Sequence, residues 1–212
     1  VVLILIPLKP NIAPRLAEIC RQRASALAVL SDFEVKIDDR GPGDGHVDGL
    51  VSRVKHTAPI RQSLIDDYLK DHSHVLWIDA DIIVYTPEIV QSLFETSKEK
   101  KAIVAPQVLW DETDNRFYDI GGFIDGGKYC SPTYPYFKDT TSRFVELDSV
   151  GAFYIVPADI YRAGAKHAFN PEHPTDHMGV CQFGKKLGYK ILCDTHLSVY
   201  HCWFPTFGEV HW

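Results

Sequence analysis

The chain has 212 residues, 45% of them hydrophobic, which is enough for one substantial domain with a filled core and too little for two full ones. A formal charge of −6 excludes general binding to nucleic acid or to an anionic membrane surface, both of which call for clustered Lys and Arg. The five cysteines, Cys20, Cys130, Cys181, Cys193 and Cys202, are odd in number and contain no Cys-x-x-Cys pair, so they read as free thiols of a reducing, cytoplasmic compartment.

Residues 1–6 form an apolar, β-branched run too short to span a bilayer and without a basic flank or cleavage site, hence a buried strand. A helix is expected over 12–30, with Leu16, Ile19, Cys20, Ala24 and Leu27 on one face. Residues 33–37 read as the next strand, ending in Asp38 and Asp39. An acid at that place contacts the base or ribose of a nucleotide in many α/β folds, or is simply solvated. Residues 40–49 hold too much Gly and Pro for regular structure and lack the Gly-Lys-Ser/Thr of a Walker loop. They form either a mobile loop over a site or a plain surface excursion. Arg53 and Lys55 follow as candidates for phosphate contact, although exposed basic residues are the ordinary expectation.

Helical spacing returns over 59–70 with Ile60, Leu64, Ile65, Tyr68 and Leu69. Arg61 falls in the first turn of this helix, where the helix dipole offers a cation nothing; an anionic partner, or water, must account for it. The stretch 75–84 is the strongest signal in the chain: an apolar strand carrying Asp79-Ala80-Asp81 where it runs out. Residues two apart on a strand share a face, so both carboxylates are expected to grip one cation. Hard oxygen donors suit Mg²⁺ or Mn²⁺ with open positions for phosphate oxygens. An Asp-x-Asp alone is common in solvated turns, but charges set among Trp77, Ile78, Ile82 and Ile83 would cost several kcal/mol, on the order of ~2–5, if left uncompensated.

Thr86-Pro87-Glu88 starts a helix with a capping hydroxyl, a first-turn Pro and an acid at the positive end; Ile89, Val90, Leu93 and Phe94 form its buried face. The charged run 98–101 reads as a solvated helix end, and 102–105 as another core strand. Strand and helix thus alternate, which implies an open, mainly parallel α/β sheet. From 108 to 136 aromatic residues mix with Gly, Pro and acids, offering either faces for an acceptor sugar or local minicores. Residues 148–156 give an acid, a small-residue turn and a buried strand, and 157–160 a short helix. A last helix spans 176–187, capped by Thr175 and stopped at Gly188, with Asp176 at its first position for structural or catalytic reasons and His177 beside it. Short strands at 189–193 and 197–201 close the chain, the second ending in His201; His196 is the competing late histidine. With no initiating Met and an aromatic-rich stretch at Trp212, the chain is expected to be one domain of a longer protein.

The ordered set of a β-α-β opening, Asp79-Ala80-Asp81, the small turn near Gly151, Asp176 and His201 resembles the nucleotide-sugar glycosyltransferases of the GT-A fold. Among them it is most similar to a chlorella-virus glycosyltransferase of capsid glycans, and more loosely to fungal mannan-polymerase-type mannosyltransferases. The resemblance implies a single α/β domain over 1–212, Rossmann-like, with a central, mostly parallel mixed sheet flanked by helices. Its nucleotide-binding half would be 1–107 and its acceptor and donor-sugar half 108–212. It implies a UDP-sugar donor, UDP-glucose first, a glycan acceptor and Mn²⁺ or Mg²⁺ held by Asp79, Asp81 and His201. Pro7, Leu8, Asp38, Arg53, Lys55, Arg61 and Ala80 would line the nucleotide and its phosphates, and Ser149 and Gly151 the transferred sugar. Asp176 would be the base of an inverting reaction; in a retaining one, Asp148 or Asp176 would position the sugar.

Two rivals follow from the same residues. A haloacid-dehalogenase-type phosphohydrolase would use Asp79 as nucleophile, although there the motif ends the first strand and here it lies far from the amino terminus. A non-catalytic sugar-nucleotide-binding subunit would bind the donor without turning it over.

Overall fold

Every residue from Val2 to Ile6 is fully buried, as a strand covered on both faces requires, and these residues with Pro7 form β1 (Val2–Pro7). The computed structural model describes residues 1–8, 14–40, 50–111, 113, 115–169 and 175–201, with residues 28 and 50–53 described in backbone alone. Helix α1 (Pro14–Ala26) turns Leu16, Ala17, Cys20 and Ala24 inward. The expected continuation to residue 30 tightens instead into a 3-10 turn at Leu27–Val29, which feeds β2 (Phe33–Asp38).

Helix α2 (Leu50–Tyr68) begins nine residues before the expected start and carries Pro59 in its interior. Pro inside a helix costs about 3 kcal/mol. Here Val54, Ala58, Arg61 and Ile65 continue one buried stripe across it, and the packing of that stripe outweighs the penalty. Arg61 therefore sits mid-helix, not in a first turn.

The acidic stretch is likewise not one strand. β3 (His74–Ile78) stops before Asp79, residues 79–81 turn, and β4 (Ile82–Val84) departs to the opposite edge of the sheet. The face alternation expected to align Asp79 with Asp81 does not operate in a turn. Helix α3 (Pro87–Lys100) is capped as its sequence dictates, with Thr86 Oγ1 accepting the Ile89 N–H, and β5 (Ala102–Leu109) follows.

The second half supplies the hairpin β6 (Ile124–Asp125) and β7 (Lys128–Tyr129), then β8 (Phe144–Glu146), β9 (Phe153–Pro157), α4 (Ala158–Arg162), α5 (Met178–Lys186) and β10 (Lys190–His201). The main sheet has eight strands in the order β2-β1-β3-β9-β5-β10-β4, with β8 paired to β10. β2, β1, β3, β5 and β10 run one way, and β9, β4 and β8 run against them. The sheet is thus mixed and mostly parallel, with helices flanking it. The two short closing strands expected from sequence are one, β10, which pairs with β5 along its length but slips register between Asp194 and Ser198. Asp194, fully buried, braces that slip by pairing with Arg143 at 2.8 Å and accepting the His196 N–H at 3.1 Å.

Candidate active site

The turn at 79–81 lies at the carboxyl end of β3, where ligands bind in open α/β sheets. Its backbone is fixed on both sides: Asp79 N–H donates to the Ala152 carbonyl at 2.8 Å, and Ile82 N–H to the Asp79 carbonyl at 2.9 Å. The Asp79 carboxylate pairs with the Arg61 guanidinium, whose Nε forms an ion pair with Asp176 Oδ2 at 2.7 Å. Arg61 also lies over the Trp77 ring, 4.9 Å from its centroid. A planar, forked cation suits this place because it can serve two carboxylates at once while its face rests on an indole. Burial alone would raise the Asp176 carboxyl; Arg61 first, and then His177, outweigh that and hold it well below the usual carboxylate range. Burial likewise opposes the Arg61 charge, and Asp176 and Asp79 overcome it. Such a carboxylate is a weak proton acceptor. With Arg61 on one oxygen and His177 Nδ1 at 3.1 Å from the other, Asp176 is built to position its neighbours.

Asp81 turns the other way. Tyr118 donates to its Oδ2 at 3.4 Å, and His201 Nε2 lies 3.6 Å from the same oxygen. Tyr118 and His201 stack at 3.8 Å and 18°, with Trp110 packed against both. A buried carboxylate beside an imidazole is a fitting pair of donors for a divalent ion. Asp79, expected as the second carboxylate, is drawn to Arg61, and no set of three His, Cys, Asp or Glu side chains converges among the described residues. Of the two late histidines, His201 is the one beside Asp81.

The small-residue turn runs beneath. Asp148 is occupied structurally: its Oδ1 pairs with Lys185 at 2.7 Å, and its Oδ2 accepts the Gly127 N–H at 2.8 Å. Ser149 is fully buried against Cys181. Gly151 is pressed between Asp119 and His177, and Ala152 adopts φ 54°. Helix α5 starts at Met178, two residues later than expected. Asp176 therefore precedes it, and Thr175, buried, is not its cap.

The remaining candidates lie along the edge of the first half. Leu8, just past Pro7 at the end of β1, is buried and donates its N–H to the Asp38 carbonyl at 2.7 Å. The Asp38 carboxylate is taken up by Arg40, which grips both oxygens at 2.8 Å, and by Tyr68 at 2.9 Å. Arg40 lowers its carboxyl to about 2. Lys55 lies over the Phe169 ring at 5.0 Å. Ala80 is half-buried in the turn. The Arg53 side chain and the Gly- and Pro-rich stretch 41–49 lie outside the described residues.

Sequence offers 108–136 only as an aromatic region, yet the structure divides it. Phe117, Phe123, Tyr136 and Phe137 form a minicore, while Tyr118 faces Asp81 of the acidic turn, Trp110 packs on Tyr118 and His201, and Asp119 lies against Gly151. The one local signal was Asp119 followed by Gly121-Gly122, since a Cβ on Gly122 would lie 2.2 Å from the Asp119 carboxylate.

A solved structure of S. aureus TarS in complex with UDP-GlcNAc superposes on this chain with a TM-score of 0.56 at 9% identity, covering 99% of this chain and 61% of that one. The two chains share this fold. A second S. aureus TarS structure gives a TM-score of 0.55 at 11% identity over 96% of this chain and 37% of that one. The chain thus spans about three fifths of the first TarS structure and well under half of the second. The model of Anp1, a glycosyltransferase family, matches residues 32–131, a stretch that contains the acidic turn. The acidic turn follows β3, whereas in the phosphohydrolase reading the motif usually ends the first strand.

Proposed function

We propose that this chain is a glycosyltransferase that moves a hexose from a nucleoside diphosphate, with UDP-glucose as the first donor to test, to a hydroxyl of a glycan. The observation that supports this best is the Asp79–Asp81 turn at the end of the central strand, hydrogen-bonded to the Gly151-Ala152 turn and locked to Asp176 through Arg61. Asp81 and His201 are the residues that would hold Mn²⁺ or Mg²⁺, whose chemistry there is to neutralise charge on a departing diphosphate. Arg61 keeps Asp79 and Asp176 fixed without reorganisation, and the buried Trp77 and Ile78 beneath exclude water, which strengthens every charge interaction at the turn. The setting of this reading is synthesis of glycoprotein glycans, as the family resemblance implies.

The test is release of free nucleoside diphosphate from a panel of nucleotide sugars with Mn²⁺, alongside calorimetry of UDP. Metal-dependent release that is lost in the Asp79→Ala/Asp81→Ala variant is expected. Absence of any nucleoside diphosphate binding, or binding that survives loss of both acids, would overturn it. A phosphorylated Asp79 would instead make the chain a phosphohydrolase, and donor binding without release a non-catalytic subunit.

A further inference from the structure

β2 is the end strand of the main sheet, and among the described residues no strand pairs with its outer edge. Its side chains from Phe33 to Ile37 are half-buried, whereas those of its neighbour β1 are fully buried from Val2 to Ile6. An open edge is a template for another strand unless like charges, a bulge or a proline blunt it. β2 carries none of these: its register with β1 runs unbroken through all six residues, it holds no proline, and Glu34 and Lys36 differ in sign.

The ladder fixes which groups face outward. Val2 N–H donates to the Asp32 carbonyl and Leu8 N–H to the Asp38 carbonyl, both at 2.7 Å, so the main-chain groups of Asp32, Glu34, Lys36 and Asp38 point at β1. Those of Phe33, Val35 and Ile37 point away from the sheet. Among the described residues only the Phe33 N–H is taken up there, by the Leu30 carbonyl at 3.1 Å. The faces differ too. Phe33, Val35 and Ile37 pack on the core, Phe33 against Phe94 of α3. Glu34 and Lys36 share the other face, where they pair at 2.8 Å, with His72 on Glu34 at 2.9 Å and Lys36 over the Tyr68 ring.

We propose that β2 is the interface of a homodimer, in which two copies pair antiparallel about a two-fold axis at Val35 and the two sheets become one. Outward-facing residues must oppose one another, which restricts the centre to Phe33, Val35 or Ile37. A centre at Phe33 would overlap that residue alone, and one at Ile37 only residues 36–38, whereas Val35 brings all of 33–37 together. In that register Val35 exchanges two main-chain hydrogen bonds with its own copy. Phe33 lies opposite Ile37 of the second copy, and Glu34 opposite Lys36 of the second copy, each pair occurring twice by symmetry. The run Phe33-Glu34-Val35-Lys36-Ile37 is thus complementary to itself in charge and in apolar character. The flanking pair, Asp32 with Asp38, is like-charged, but Arg40 already grips both Asp38 oxygens at 2.8 Å. A strand of another sequence would gain the main-chain bonds without this set of pairs, which selects the second copy as partner.

Sedimentation equilibrium over about 5–500 μM tests this, and wild type is expected to dimerise with a dissociation constant of about 1–50 μM, at the weak end as befits a short interface. Glu34→Lys and Lys36→Glu each leave one sign of charge on the edge and should weaken association by about tenfold or more. An equimolar mixture of the two variants, whose edges are opposite in sign, should restore it. Hydrogen exchange reads the same contact in wild type alone: the Val35 and Ile37 amides should slow by about threefold or more across that concentration range, while those of Glu34 and Lys36, bonded to β1 in either state, do not change. A wild type that stays monomeric, variants that dimerise as wild type does, a mixture no better than either variant, or Val35 and Ile37 amides indifferent to concentration would overturn the inference.

Discussion

Arg61→Met tests the charge arrangement directly. The guanidinium is 8% exposed and lies between Asp79, 26% exposed, and Asp176, 7% exposed. Methionine keeps much of the volume over Trp77 but removes the charge, so Asp176 is left buried with only the imidazoles of His177 and His167 to answer it among the described residues. At an effective dielectric of about 20 each close contact is worth roughly 4 kcal/mol before desolvation is subtracted. Breaking a buried pair from one side typically costs about 3–5 kcal/mol. We expect urea unfolding at pH 7.5 to show a loss of about 3–4 kcal/mol, and the midpoint of thermal unfolding to drop by about 6–15 °C. The deficit should shrink as pH falls toward 5, because without Arg61 burial raises the Asp176 carboxyl and protonation relieves the stranded charge. Combining Arg61→Met with Asp176→Asn should cost at least about 1.5 kcal/mol less than the sum of the single changes. A loss below about 1 kcal/mol, or strict additivity, would refute the account.

Three further outcomes are expected. Burial lowers the imidazoles of His74 to about 4 and His167 to about 3, whereas the unfolded chain protonates near the ordinary 6.5. Their contribution to stability is therefore complete above about pH 6.5 and lost as pH falls toward 4 and then 3, each steepening the decline by up to about 1.4 kcal/mol per pH unit; urea midpoints between pH 7.5 and 4.5 read this, and a flat profile contradicts it. Gly151→Ala drives a methyl into Asp119 and His177 and should cost about 1–3 kcal/mol of stability in the same unfolding assay, with donor binding weakened more than UDP binding. Under the proposed function, Asp81→Asn and His201→Ala should each raise the Mn²⁺ concentration needed for half-maximal UDP binding by about tenfold or more; calorimetry at fixed UDP with varied Mn²⁺ decides it.

What could be read from the chain beforehand was whatever local chemistry controls. The unbroken apolar run of β1 and the Thr86-Pro87-Glu88 start of α3 carry their instructions within a few residues, and both elements stand where expected. Pro59 misled because a first-turn Pro and an interior Pro look alike until the buried stripe from Val54 to Ile65 is seen. The break between β3 and β4 was hidden because both flanks of Asp79-Ala80-Asp81 are apolar, and composition does not say which strand each flank will join. The partners within the site are illegible for the same reason: Arg61 and Asp176 are 115 positions apart, and Asp119 meets His177 only across Gly151. The chemistry of the acids was visible, but their division between Arg61 and His201 is a product of tertiary contact.

Three strands separate β3 from β4, which on a flat surface would set Ile78 and Ile82 about 19 Å apart. Yet these residues are only four positions apart, a reach of at most about 14 Å. The sheet must curl into an open hoop whose far rim comes back to its middle, and the additional residues at 195–197 lengthen the outer path around that curve. The nearness of His201 to Asp81 is then a measure of curvature, and a change that flattened the hoop would pull the two apart without touching either.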